Sequence, residues 1–323
     1  MIKIGRYVAP TNIFLAPMSG CTDSAFRLIA REHGARFCFF EMVDANALCY
    51  GHKKTKDILK PLDEDTPIAA QLLGAEPSRL LDAGERLLRI AKVSFLDINS
   101  ACPAKKAVKK GAGAALLKKP RVLFKIIRGL SSSLPVPVTV KLRVGYEKKD
   151  IKNISELARG CQDSGASAVF LHGRTKSQGY EGDVDYDAIK KVKENLAIPL
   201  FGSGNILNAR SAKEMFGKTG CDGILIARGA LGNPWIFRNI ERYLKDGGIV
   251  YRPDLPLKSR VLKRHLAYIQ KYKESISTSK VGFMRKVAMW YLKDIPKARR
   301  IRERINYSKS YEELVAIIDS LTP

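Results

Sequence analysis

Eight short runs of apolar and β-branched residues recur along the first two thirds of the sequence. Helix-like stretches separate them, such as Ser24–Glu32, where Asp23 or Ser24 can cap the start and Gly34 can close the end. Strands that are apolar on both faces and alternate with helices indicate a parallel sheet, and eight such units within roughly 240 residues match a (β/α)8 TIM barrel. A doubly wound open sheet is the alternative. The runs are Ile13–Pro17, Phe37–Met42, Ile68–Leu72, Phe95–Asn99, Val138–Leu142, Ala168–His172, Ile198–Ser203 and Gly223–Ala227.

Polar or chemically useful residues stand at or just past the C-terminal end of each predicted strand. In a barrel these ends converge on one face, where the active site lies. A helix cap or a loop hydrogen bond would explain any single one of them, but eight at equivalent positions favour a site. They are Met18, Glu41, Gln71, Asn99, Lys141, His172, Ser203 with Asn205, and Arg228.

The pattern changes after Gly248 and a proline-containing segment. Consecutive helical stretches follow, near Leu257–Lys273, Val281–Lys293, Ala298–Ile305 and Tyr311–Ile318. We therefore expect a barrel domain over residues 1–248 and a small all-helical domain over residues 256–323, with no internal repeat beyond the βα units.

Positive charge is in large excess. The 57 Lys and Arg against 32 Asp and Glu give a net charge of +25, which favours a polyanionic partner, nucleic acid first and an anionic membrane surface second. Residues 256–323 hold 16 basic and 6 acidic residues, and the segment Ser100–Arg121 holds seven basic residues and no acid. A solvated helical face and an ordinary exposed loop are the alternatives. The candidate RNA-binding residues are Lys105, Lys106, Lys109, Lys110, Arg285, Lys286, Arg299 and Arg300.

Several classes of protein do not fit the composition. An apolar fraction of 45% is too high for a disordered chain, and no run approaches the ~20 apolar residues of a membrane span. The N-terminus lacks the long apolar stretch of a signal peptide, so a cytoplasmic protein is expected. The six cysteines form no Cys-x-x-Cys, so we expect neither a metal site nor a disulfide framework, and no obligate protein partner is evident.

Three residues stand out as chemically unusual. Cys102 follows a predicted strand directly and is held by Pro103. Lys141 closes an otherwise apolar strand, and burying an ammonium without an anion or a strong acceptor is costly. His172 occupies the same place on the next strand, and although a lone histidine is more often structural, its pairing with Lys141 favours a functional role.

A phosphate site is indicated after the seventh and eighth strands. Gly202–Asn205 and Ala227–Ala230 are rich in small residues that expose backbone N–H groups, and Arg228 adds a positive charge. A phosphate, a cation and amide donors around a flat ring suggest FMN, because a positive charge near flavin N1 stabilises the reduced anion.

Taken together, these motifs closely resemble the tRNA-dihydrouridine synthase family over nearly the whole chain. The resemblance implies FMN-dependent reduction of uridine in tRNA to dihydrouridine, with NADPH as the reductant and a helical domain that binds tRNA. It rests on the Ala-Pro-Met-Ser-Gly-Cys-Thr-Asp-Ser-Ala-Phe-Arg segment at residues 16–27, Glu41–Val43, Gln71–Gly74, Asn99–Pro103, Lys141–Arg143, His172–Thr175 with Gln178–Tyr180, Ala227–Ala230 to Pro234-Trp235, Met284–Lys286 and Trp290–Lys293.

The resemblance also implies roles for individual residues. Cys102 resembles the catalytic general acid, and Asn99, Arg143 and Tyr180 would lie near the uracil. Two departures are Ala101, where glycine is usual in the family, and Ser203-Gly204-Asn205 in place of the commoner Asn-Gly-Asp. The implied flavin contacts are Pro17, Met18, Ser19, Gln71, Lys141, His172, Ser203, Gly204, Asn205, Ala227 and Arg228.

The electronics of uracil predict the order of the chemistry. Hydride from the reduced flavin arrives at C6, enolate character develops at C5 and O4, and a protonated Cys102 supplies the proton to C5 from the opposite face of the ring. A nucleophilic Cys102 is the alternative. Two other functions remain open at this point: a dihydroorotate-type flavin dehydrogenase acting on a free pyrimidine, and a non-catalytic RNA-binding protein.

Overall fold

A computed structural model describes residues 1–273, 280–293, 295 and 299–321. Two short 3-10 helices, Gly113–Lys118 and Arg228–Ala230, accompany the strands and α-helices. The strands are β1 (Ile2–Ile4), β2 (Tyr7–Ala9), β3 (Ile13–Leu15), β4 (Cys38–Phe39), β5 (Val43–Asp44), β6 (Ile68–Leu73), β7 (Leu96–Asn99), β8 (Val138–Arg143), β9 (Val169–His172), β10 (Leu200–Ser203) and β11 (Gly223–Ile226). The helices are α1 (Ser24–Glu32), α2 (Ala45–Cys49), α3 (Lys53–Ile58), α4 (Pro77–Ile90), α5 (Lys105–Lys109), α6 (Pro120–Ser133), α7 (Ile151–Asp163), α8 (Tyr186–Glu194), α9 (Ala209–Thr219), α10 (Ile236–Asp246), α11 (Leu255–Tyr272), α12 (Lys280–Leu292), α13 (Arg299–Tyr307) and α14 (Tyr311–Asp319).

Strands β3 to β11 form a closed parallel barrel. β11 pairs with β3, and the ring closes where β4 pairs with both β3 and β6, with Cys38 opposite Ile68. The second predicted run is split into β4 and β5, and β5 pairs with the C-terminal part of β6, with Val43 opposite Leu72. The predicted (β/α)8 barrel is therefore confirmed, and the open-sheet alternative is wrong.

Phenylalanine side chains fill the interior of the barrel. The rings of Phe37 and Phe95 stack at a centroid distance of 5.3 Å, and Phe14 stacks on Phe37 at 4.2 Å. The hairpin of β1 and β2, which the sequence analysis did not predict, adds the ring of Tyr7 at 6.0 Å from Phe37. In a barrel filled by side chains, the ligand site lies at the C-terminal ends of the strands. The interior phenylalanines are Phe14, Phe37, Phe39, Phe95, Phe170 and Phe201.

Helix α1 follows β3, the first strand of the barrel, as the sequence predicts. The Asp23 side chain accepts the N–H of Phe26 at 3.0 Å and caps its first turn. Arg27 on this helix is buried, and its Nε lies 2.6 Å from Asp65 Oδ2, so the charge is paired inside the protein. The helix is thereby fixed against the segment that precedes β6.

Helices α11 to α14 build a second apolar core. This core also takes in Ala25 and Ile29 of α1 and Trp235 before α10, so the helical region packs directly on the barrel. The predicted start of the third helix at Ala298 lies outside the described residues, and α13 is seen from Arg299. Among the helices described, none has the length and apolar character needed to cross a membrane.

Candidate functional site

A cavity of about 530 Å³ opens at the C-terminal ends of the barrel strands. Its position follows from the fold, since every βα loop of a parallel barrel begins at this face. Met42, Ala101 and the loop after β10 complete its wall. Every residue that the sequence analysis proposed for catalysis, cofactor binding or uracil binding lies along it: Pro17, Met18, Ser19, Gln71, Asn99, Cys102, Lys141, Arg143, His172, Tyr180, Ser203, Gly204, Asn205, Ala227 and Arg228.

Lys141 brings an unpaired positive charge to this cavity. Its ammonium forms no hydrogen bond or ion pair with any residue in the described part of the chain. Burial, together with the charge of Arg143, lowers the pKa of Lys141 to about 8, and the carboxyl of Asp97 opposes that shift. A half-buried cation without a partner among the described residues fits a site whose ligand supplies an anion or a strong acceptor.

Four side chains form a hydrogen-bond network that links β8, the strand of Lys141, to the Cys102 loop. Thr139 Oγ1 donates to Asp97 Oδ1 at 2.7 Å, and Gln71 Nε2 donates to Asp97 Oδ2 at 2.7 Å. Asn99 Nδ2 donates to Gln71 Oε1 at 2.7 Å. The Asn99 amide oxygen in turn accepts the backbone N–H of Cys102 at 2.8 Å.

The backbone N–H of Cys102, at the end of this hydrogen-bond network, fixes the orientation of the side-chain amides of Asn99 and Gln71. A peptide N–H can only donate, so Asn99 must turn its oxygen to Cys102 and its NH₂ to Gln71, which leaves the Gln71 NH₂ facing Asp97. Asp97 is thus an acceptor that the sequence analysis missed. The signal was present, because an acidic residue in the otherwise apolar β7 needs a partner.

Cys102 is half-buried, and hydrogen bonds hold both its backbone N–H and its backbone carbonyl. Its carbonyl accepts the N–H of Ala114 at 3.0 Å, besides the bond that Asn99 makes to its N–H. Gly113 has a φ of +60°, and a Cβ there would lie 2.7 Å from the Cys102 carbonyl oxygen. The sequence analysis did not single out Gly113, whose absent side chain allows this close approach.

Arg143 is buried, and its guanidinium hydrogen-bonds to both the Cys102 loop and the Tyr180 loop. Nε donates to the Ala101 carbonyl at 2.7 Å, and Nη1 donates to the carbonyls of Thr175 and Gly179 at 2.7 and 2.8 Å. The ring of Tyr180, 57% exposed, lies 5.7 Å from this guanidinium. Arg143 therefore positions both the Cys102 loop and the Tyr180 loop.

The loop after β10 meets Arg228 at the mouth of the cavity. Asn205 adopts a φ of 46°, the left-handed conformation that asparagine tolerates. Its Oδ1 accepts from Arg228 Nη2 at 3.0 Å, and the Tyr180 ring lies 5.1 Å from the same guanidinium. A Cβ on Gly204 would lie 2.9 Å from Val184 and 3.1 Å from the His172 ring, so this turn has no room for a side chain.

His172 is neutral in this setting. Burial and then the positive charge of Lys141 hold the pKa of its imidazole far below the usual range, and the nearby arginines act in the same direction. A neutral imidazole has one nitrogen to accept and one to donate a hydrogen bond. It contributes polarity to the cavity wall without adding to the charge.

Glu41 differs from the other strand-end residues, because it does not line the cavity. Its carboxylate accepts the N–H of Gly20, in the loop that carries Met18 and Ser19. Burial, together with the charge of Asp23, raises the pKa of the Glu41 carboxyl. Glu41 therefore supports the cavity wall from behind.

The candidate RNA-binding residues lie outside the cavity and fall into three groups. The four lysines of the α5 segment, Lys105 to Lys110, are exposed, as are Arg299 and Arg300 at the start of α13. Arg285 instead donates to the carbonyl of Asn306, and Lys286 donates to that of Gly20.

The fold and the cavity define a class of protein: a (β/α)8 barrel enzyme whose ligand site, at the carboxyl ends of the strands, is lined by positively charged side chains. Comparison with known proteins narrows the class. The family model described as dihydrouridine synthase (Dus) matches residues 14–321. The chain therefore belongs to the dihydrouridine synthase family.

Curated relatives match along almost their whole length. The chain is 36% identical to tRNA-dihydrouridine synthase B of Pasteurella multocida, over 98% of this chain and 94% of that protein. It is also 36% identical to the probable tRNA-dihydrouridine synthase of Rickettsia conorii, over 95% of this chain and 92% of that protein.

Solved structures share the fold at low identity. The old yellow enzyme homologue from Zymomonas mobilis is 14% identical, covering 80% of this chain and 94% of that chain, with a TM-score of 0.55. Histamine dehydrogenase from Rhizobium sp. 4-9 is 12% identical, covering 82% of this chain and 50% of that chain, with a TM-score of 0.56. These likenesses support the barrel architecture.

Proposed function

We propose that this enzyme reduces the C5=C6 bond of uridines in tRNA to dihydrouridine, with FMN in the barrel cavity and NADPH as the reductant. The observation that carries the proposal is Lys141, an ammonium at the cavity wall with no partner among the described residues. Membership of the dihydrouridine synthase family and the names of the curated relatives support the same activity.

The residues of the cavity fit a flavin nucleotide. Lys141 suits the electron-rich edge of the ring, and Gln71 and neutral His172 provide hydrogen-bonding groups on neighbouring strands. Arg228, Gly204 and Gly229 line the cavity and suit a phosphate, because Arg228 supplies a positive charge and small-residue turns leave backbone N–H groups accessible. Pro17, Met18, Ser19, Ser203, Asn205 and Ala227 complete the proposed flavin contacts.

Cys102 is the proposed general acid. When bound, reduced FMN supplies the hydride that reaches C6 of the uracil. The Cys102 thiol delivers its proton to C5. Lys141 and Arg143 both interact electrostatically with Cys102, so they stabilise the thiolate that remains after the transfer.

Asn99, Arg143 and Tyr180 surround the proposed uracil position. Asn99 and Arg143 act through the Cys102 loop, whose backbone they hold at the Cys102 N–H and the Ala101 carbonyl. Tyr180 offers an exposed ring at the cavity mouth, suited to stacking on a base.

The charge of the chain supports tRNA as the substrate, and the cytoplasm is proposed as its location because that is where tRNA is found. A net charge of +25 attracts a polyanion, and the basic residues are dense in the α5 segment and in the helical region. We assign catalysis to a domain of residues 1–248 and tRNA binding chiefly to residues 256–323. A uridine must leave its stack to reach the cavity, and contacts to the RNA backbone offset that cost of a few kcal/mol.

The test is a reaction with purified components. The protein reconstituted with FMN, supplied with NADPH and an unmodified tRNA transcript, should form dihydrouridine, measured by mass spectrometry of the digested RNA. Omission of NADPH is the control. Turnover of free orotate or uracil with no product in tRNA would instead support the dihydroorotate-type activity, and protein that cannot take up FMN would contradict the proposal.

A further inference from the structure

The loop between β3 and α1 belongs to the cavity wall and also contacts the helical region. Ala16, Pro17, Met18, Ser19 and Cys21 line the cavity. Within this loop, hydrogen bonds hold both backbone polar groups of Gly20, its N–H and its carbonyl. Its N–H donates to the Glu41 carboxylate, and its carbonyl accepts from Lys286 Nζ at 2.9 Å.

A second lysine of the helical region holds the far end of the same loop. Lys273 Nζ, at the end of α11, lies 2.8 Å from Asp23 Oδ2, with the two side chains only 15% and 8% exposed. Asp23 uses its other oxygen to cap α1. Two cations that are distant in sequence from residues 16–23 thus hold the middle of this loop, at Gly20, and its C-terminal end, at Asp23.

The Lys286 ammonium is also oriented by its own helix. It lies 5.3 Å from the ring of Trp290 and 5.7 Å from that of Phe283. Trp290 packs in turn on Phe26 of α1, with ring centroids 5.9 Å apart. These contacts direct the Lys286 side chain towards the barrel.

Arg285, the preceding residue, has a different role. Its guanidinium donates to the Asn306 carbonyl, so its bond stays within the helical region. The pair offers a matched comparison, because each residue carries one positive charge on α12 and only Lys286 contacts the cavity loop.

We infer that Lys286 is a positioning residue for the cofactor loop, and that the helical region thereby completes the flavin site. By holding the Gly20 carbonyl, Lys286 keeps Met18 and Ser19 in place against the bound ring. The sequence alone instead predicts an RNA contact for Lys286. The inference rests on the proposed function, because it takes FMN as the ligand of the cavity.

The experiment measures FMN affinity and tRNA affinity in the full-length protein. Lys286→Met should weaken FMN binding about tenfold, the scale of one hydrogen bond to a charged group. Lys286→Arg, which keeps a cationic donor, should recover most of that loss. Arg285→Met, the matched control, should bind FMN like the wild type.

The salt dependence of tRNA binding separates positioning from RNA contact. If Lys286 neutralised a phosphate, Lys286→Met would flatten the plot of log K against log salt by roughly 0.7–0.9. We expect the slope to stay unchanged. Wild-type FMN affinity in Lys286→Met, or an equal loss in Arg285→Met, would overturn the inference, whereas wild-type protein that binds no FMN would contradict the proposed function itself.

Discussion

Asp97 lies in the barrel interior, with no exposure to solvent, between two side chains that each donate to one of its carboxyl oxygens. Burial raises its pKa to about 7, against the opposing effect of these hydrogen bonds and of Lys141. It accepts a hydrogen bond from Gln71, which binds Asn99, and it thereby anchors the two amides that hold the Cys102 loop. Asp97 therefore affects the position of the Cys102 loop without contacting a substrate itself.

The raised pKa of Asp97 predicts a specific pH dependence of stability. Between about pH 4 and pH 7 the folded protein retains a proton that the unfolded chain has released, so the free energy of unfolding falls as pH rises. The Asp97→Asn variant cannot show this effect. Relative to that variant, wild-type stability should fall by up to about 4 kcal/mol across the range, measured by urea unfolding. A difference that is the same at pH 4 and pH 7 would contradict this assignment.

The position of the Cys102 loop, which follows β7, depends on Gly113, the first residue of the 3-10 helix Gly113–Lys118. Gly113 lets the Ala114 N–H reach the Cys102 carbonyl at 3.0 Å, and a Cβ would collide with that carbonyl. Gly113→Ala should therefore displace the Cys102 loop and lower uridine reduction at least tenfold, with FMN still bound. Product formation and flavin content are the measurements.

A second glycine provides the control for this prediction. Gly129 lies in α6, and a Cβ added there would have no neighbouring atom within 4 Å. Gly129→Ala should therefore keep full activity and stabilise the helix by about 0.5–1 kcal/mol. Equal activity in the two variants would show that the close approach of Gly113 to Cys102 is dispensable.

Sequence patterns predicted the elements that repeat and the residues at strand ends. The eight apolar runs correspond to barrel strands because each is buried on both faces, and Asp23 caps α1 as expected. The β1–β2 hairpin escaped prediction because its strands have three residues each, too few for a periodic pattern. The contact of Lys286 with Gly20 could not be foreseen, since it joins residues 266 positions apart.

At the scale of the whole molecule, the helical region and the barrel form one packed body. Ala25, Ile29 and Trp235 lie in the core of the helical region, and Lys273 and Lys286 bond to the cavity loop. Truncation near Leu257 would expose this apolar surface. The structure therefore favours point substitutions over truncation for separating flavin binding from tRNA binding.

The exposed pair Arg299 and Arg300 gives such a test. Arg299→Ala combined with Arg300→Ala should weaken tRNA binding and flatten the salt slope by roughly 0.7–0.9 for each phosphate that the variant no longer neutralises. FMN content should stay at the wild-type level, because neither residue approaches the cavity. An unchanged slope would transfer the RNA-binding role to the exposed lysines of the α5 segment.

The central claim is that Cys102 supplies the proton to C5 after hydride transfer, and a single-turnover measurement tests it most directly. Enzyme-bound FMN is reduced anaerobically with NADPH, mixed with unmodified tRNA, and its reoxidation is followed by absorbance together with dihydrouridine formation. Cys49→Ala is the control, since Cys49 is half-buried like Cys102 and does not line the cavity. We expect Cys102→Ala to keep FMN and its reduction by NADPH but to lose at least a hundredfold in both reoxidation by tRNA and product, the usual size of a general-acid effect, while Cys49→Ala behaves like the wild type. Wild-type rates of reoxidation and dihydrouridine formation in Cys102→Ala would contradict it.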